Sequence, residues 1–178
     1  MKGAVVQAPG VATAADLREQ GFEGFVTFSA LRADGAASVP VAPGVWVVVH
    51  EPVALPHFLP RSTAPAWRGQ EPTLPPDALA ARWVPHACVL YVGVAPGAGV
   101  RHLLRQQVKR FLRFGDGRNV AHWGGRAIWQ LAGAGSLRVA WRVAPPDGVR
   151  AAAAGLLRAF EEHHGMRPFA NEPEEDEA

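Results

Sequence analysis

Apolar and polar positions change period several times along the 178-residue chain, and each change marks an element. Residues 13–20 read as a short helix, capped by Thr13 and stopped at Gly21. Gly24-Phe25-Val26-Thr27-Phe28 reads as a strand or an extended lead-in. The β-branched run from Val45 to His50, entered through Pro43-Gly44 and left at Pro52, suits a central strand buried on both faces. A second run from Val89 to Val94 predicts another strand, and Leu137 to Val143 alternates as a third should. Between the first two runs, residues 52–85 are rich in proline and predict a long insertion with one small helix near Asp77–Ala81.

Helical spacing appears in three places. From Val100 to Arg113, Leu104, Val108 and Phe111 fall on one face. Residues 120–131 suggest a turn leading into another helix. Val149 to His164 carries Ala153, Leu156, Leu157, Phe160 and His164 on one side, with Gly165 as a stop and Pro168 beyond. The order is helix, strand, strand, helix, helix, strand, helix. It predicts an α+β fold, a small and mainly antiparallel sheet flanked by helices. The expected organisation is an N-terminal helix and lead-in over 1–39, the main domain over 40–171, and an acidic, disordered tail over 172–178.

Composition narrows the class. With 48% hydrophobic and 19% charged residues the chain suits one domain with a proper core. No window approaches the roughly 18 apolar residues of a spanning helix, and the N-terminus lacks a signal-peptide pattern, so a cytoplasmic address and no membrane partner are expected. Cys88 is the only cysteine, which excludes an intramolecular disulfide and a multi-cysteine metal site. The net charge of +2 conceals an asymmetry: Glu172, Glu174, Glu175, Asp176 and Glu177 crowd the tail, leaving residues 1–171 with eighteen bases against eleven acids. Arg101, Arg105, Lys109 and Arg113 recur every fourth residue, with Arg110 beside them, and Asp116 is the single acid between Arg101 and Arg126. Such a strip is able to track a phosphate backbone, its plain alternative being a solvated helix face. The tail has two readings of its own, a solubilising end or an acidic mimic that competes for the basic face.

Several segments in order resemble the GIY-YIG nuclease superfamily: Gly44-Val45-Trp46, Tyr91-Val92-Gly93, the arginine-rich helix, His122-Trp123-Gly124-Gly125-Arg126, and Leu156-Leu157 through Phe160 and Gly165 to Pro168-Phe169-Ala170-Asn171. The similarity covers roughly residues 40–171. It implies the fold of enzymes that cut DNA phosphodiesters with a tyrosine from each strand motif, an arginine on the next helix and a glutamate on the last helix that holds a divalent metal. A metal and an arginine neutralise building phosphate charge while a phenol helps to activate water. Here the second tyrosine is kept as Tyr91, but the first falls on Trp46, the helix arginine on Gln107, and the metal-binding glutamate on Ala153. Val94 stands where many members carry lysine.

The leading expectation is therefore a degenerate nuclease that binds nucleic acid through Arg101, Arg105, Lys109, Arg110 and Arg113 without cutting it, and without a metal or other cofactor. An alternative rebuilds the old cleft for a small organic ligand, with Trp46, Gln107 and Asn171 contacting it. Tyr91, His122 and Arg126 are then the catalytic candidates, because an imidazole titrates near neutrality. A third keeps nuclease activity through substitutes such as Arg105 or Arg110 and a histidine metal ligand. Enzyme status stays open between these readings.

Overall fold

In the computed structural model, which describes residues 11–120 and 122–172, four antiparallel strands form one sheet: β1 (Glu23–Thr27), β2 (Gly44–Val49), β3 (Val89–Ala95) and β4 (Arg138–Val143), in the order β1-β4-β2-β3. The helices are α1 (Ala14–Glu19), α2 (Phe28–Ala33), α3 (Pro76–Arg82), α4 (Leu104–Gly115) and α5 (Val149–His164). The expected α+β architecture with a small antiparallel sheet is present. No helix among the described residues is long and apolar enough to cross a membrane.

β2 is buried along its whole length, as its unbroken apolar run demands, and its alternation separates two cores. Trp46 and Val48 point into the first, with α2, α4 and the insertion; Val45, Val47 and Val49 point into the second, with α1 and α5. The β2–β3 register shifts so that Val48 faces Tyr91 and Val49 faces Val89. Leu90 is the extra residue of this bulge, and both Leu90 and Tyr91 face the first core.

α1 starts on a capping box in which Thr13 and Asp16 bond each other's amides. α5 spans the expected residues and ends on Gly165 at φ +75°, where a left-handed residue is required. Three boundaries differ from expectation. Phe28 does not extend β1 but opens α2, because the Thr27 hydroxyl accepts from the Ala30 amide and caps a helix too short to show a period. α4 begins at Leu104, with Val100–His102 as a separate 3₁₀ turn and Leu103 extended between them. Residues 126–130 form a 3₁₀ helix rather than an α-helix. The N-terminal lead-in is also part of the sheet, since β1 pairs with β4.

The proline-rich insertion is held from inside. Gln130, fully buried, donates to the carbonyls of Leu59 and Leu74 at 3.1 and 2.9 Å and accepts from the Leu74 amide at 2.8 Å. Beyond α5 the chain returns as a strap along the free edge of β3. Phe169 stacks on Phe58 and meets Trp83 edge-on, and the Ala170 amide donates to the Leu90 carbonyl.

Candidate functional site

Three of the expected site residues meet in the first core. Trp46 lies opposite Gly93 on β3, where any Cβ would overlap its indole, so a glycine is required beneath this tryptophan. The Tyr91 ring stacks on Phe111 of α4 and meets Trp46 edge-on at 5.3 Å. His122 contacts the same pair, 6.0 Å from Trp46 and 5.3 Å from Phe111 between ring centroids. Trp46 is 1% exposed, so its indole fills the place where the small-ligand reading needs an opening.

Burial acts on the two titratable members in opposite directions. The Tyr91 phenol is pushed up to about 12, because a phenolate would lose its hydration. The His122 imidazole is lowered to about 4, chiefly by burial, with the nearby Arg110 charge adding to the effect and a backbone hydrogen bond opposing it. At neutral pH the ring is uncharged, and its Nδ1 lies 3.0 Å from the Gly124 carbonyl oxygen. A carbonyl only accepts, so the proton sits on Nδ1 and Nε2 is an acceptor.

The substrate-binding candidates Gln107 and Asn171, and the position of the missing metal ligand, Ala153, lie elsewhere. Ala153 is buried in the second core, on the opposite face of the sheet from Trp46 and Tyr91, so these positions do not share one cleft. Gln107 turns back to the 3₁₀ turn before its helix and donates to the Arg101 carbonyl at 2.9 Å. Asn171 brackets the β3 edge: its Oδ1 accepts from the Val92 amide at 2.8 Å and its Nδ2 donates to the Val92 carbonyl at 2.9 Å. These two bonds replace a missing strand neighbour and occupy both polar ends of the side chain.

The basic strip divides by role. Arg105 is committed to the fold, its Nε donating to the Val39 carbonyl at 2.7 Å and its Nη2 to the Ala37 carbonyl at 2.9 Å. The amides of Leu104 and Arg105 donate to the carbonyls of Ala42 and Pro40, so this loop also satisfies the first turn of α4. Arg110 is half-buried near His122. Lys109 and Arg113 lie exposed one turn apart on α4, and Arg101 is exposed in the preceding 3₁₀ turn. No ion pair among the described residues engages Arg101, Lys109 or Arg113.

Arg126 has a different environment. Its guanidinium lies over the Trp123 ring, 4.4 Å from the centroid, and its Nη2 is 2.7 Å from Oε1 of Glu172. Arg82 of α3 reaches the same oxygen at 3.3 Å. Glu172, expected in a disordered tail, is thus fixed at the end of the strap, while Glu174 to Glu177 lie outside the described residues. Sequence reasoning singled out neither Arg82 nor the pairing of Glu172 with Arg126; the only signal was the tail's charge.

Four of the six tryptophans (Trp46, Trp83, Trp129 and Trp141) are core residues. Among the described residues no three His, Cys, Asp or Glu side chains gather as a metal site. A cavity of about 490 Å³ lies away from Trp46 and Tyr91, between His50, Glu51, His57, Trp83 and Arg138. Compared with known proteins, the chain matches no family model, no curated protein and no solved structure.

Proposed function

We propose that this is a nucleic-acid-binding protein, a diverged relative of the GIY-YIG nucleases that holds a phosphate backbone without metal-dependent cleavage. The observation that carries the reading is the set of exposed cations Arg101, Lys109 and Arg113 on α4 and the turn before it, none of them in an ion pair among the described residues. Arg32, Arg82, Arg126, Arg138 and Arg167 are each matched by a carboxylate. Unmatched cations on a helix and the turn leading into it suit phosphate contacts, which need charge and spacing but no base recognition.

Absence of cutting is supported by the acid–base groups. A proton-transfer site near pH 7 needs groups titrating close to that pH, whereas His122 is lowered and Tyr91 raised away from it. Arg105, a candidate substitute for the helix arginine, already serves two backbone carbonyls. A small-ligand function would find space in cavities such as the one beside His50 and Arg138, not at the filled Trp46 position.

The test is fluorescence anisotropy with labelled single-stranded and duplex DNA and RNA across a salt series. Three phosphate contacts predict a log–log slope of about −2 to −3, with Lys109→Gln and Arg113→Gln each removing about one unit. The oligonucleotides stay intact with magnesium or manganese. No binding at low salt to any of the four polymers refutes the reading.

A further inference from the structure

Two guanidiniums from distant parts of the chain converge on one carboxylate at the end of the strap. Arg82 comes from the insertion and Arg126 from the first position of the 3₁₀ helix at 126–130, and both reach Oε1 of Glu172, at 3.3 and 2.7 Å. Arg126 is the organised member: its side chain is only 17% exposed and its plane is set by contact with Trp123. Its Nε is buried and has no hydrogen-bond partner among the described residues. The guanidinium carries more donors than one carboxylate oxygen uses, and a phosphate, with more oxygens, is better matched to it.

Glu172 is also held in a way that frees its side chain to leave. The strap backbone is tied independently, by Asn171 to Val92 and by Arg167, whose Nη1 donates to the Glu172 carbonyl at 3.0 Å. The Glu172 and Arg82 side chains are each about one-third exposed, so solvent and solutes reach the pair. We propose that Arg82 and Arg126 form a binding site for a phosphate-class anion, and that Glu172 occupies it as an internal stand-in for that anion. The two sources of such an anion are a nucleic-acid backbone and a free phosphate; the first of these rests on the function proposed above.

A tethered carboxylate competes at high effective concentration. Glu172→Gln, which keeps an amide oxygen for both arginines, removes the competing charge in the full-length chain. Inorganic phosphate, titrated while the arginine Nε–H signals are followed by NMR, is expected to bind about fivefold more tightly to the variant, the ratio set by an exposed ion pair. The perturbation centres on Arg126, and Arg126→Gln added to Glu172→Gln abolishes the gain. Unchanged phosphate affinity with a lower melting temperature overturns the proposal, because Glu172 then only fastens the strap. A gain that survives Arg126→Gln also overturns it.

The same variant is measured against the labelled oligonucleotide. Tightening of both probes supports the backbone source, and tightening of phosphate alone supports a free phosphate. Loss of binding on α4, by contrast, is read from Lys109→Gln and Arg113→Gln with Glu172 intact, so failure of either idea leaves the other legible.

Discussion

His122 is the residue whose chemistry depends most on where the fold puts it. In the unfolded chain its imidazole titrates near 6.5, and in the folded chain near 4. Between these values the unfolded state binds the extra proton, so stability is fully present above about 6.5 and falls as the pH drops toward 4. The full difference is about 3 kcal/mol. His50, half-buried and with its Nε2 donating to the Ala87 carbonyl, is lowered as well and adds in the same direction. Urea denaturation from pH 7.5 to 4 is expected to show a steeper loss for the native chain than for His122→Asn; matching slopes would mean that the ring is not held neutral. The sequence marks His122 as a candidate, but a pKa set by desolvation depends on Trp46 and Phe111, which lie far from it in the chain and close in space.

Among elements, α4 combines a structural face and a solvent-facing stripe, with Arg105 on the boundary. Periodicity identifies Leu104, Val108 and Phe111 as the buried face, and all three are fully buried. It is silent on which cations are free, because every fourth residue looks alike until the 37–42 loop packs beside the helix start. Arg105→Ala strands the Ala37 and Val39 carbonyls and is expected to cost about 1–2 kcal/mol in chemical denaturation. Lys109→Ala is expected to stay within about 0.5 kcal/mol. Equal costs would contradict this division of roles. α2 and the 3₁₀ helix at 126–130 escape periodicity for a different reason: five or six residues barely complete a turn and a half, too few for a period to be read.

At the scale of the molecule the decisive feature is that the sheet has two buried faces. Aligning motifs along the chain groups Ala153 with Trp46, Tyr91 and Gln107, yet α5 covers one face and α4 the other. Ala153→Glu, which puts a carboxylate at the position where the resemblance to GIY-YIG nucleases implies a metal ligand, therefore places a charge among Val45, Val47 and Leu156. The expected result is a loss of about 3 kcal/mol or more in denaturation experiments, with no gain of metal-dependent cleavage. A folded, metal-binding variant would instead show that α5 presents this position to a cleft. The sequence by itself determined the longer periodic elements, the central strand and the excess of positive charge, because burial periodicity and net charge are properties of local order. Only the tertiary structure decided that Arg105, Gln107 and Asn171 bind backbone groups, that Trp46 is buried in the core, and that Glu172 meets Arg82 and Arg126. Those outcomes depend on which polar groups and charges become neighbours after packing, and chain separations such as the 90 residues between Arg82 and Glu172 carry no mark of that proximity.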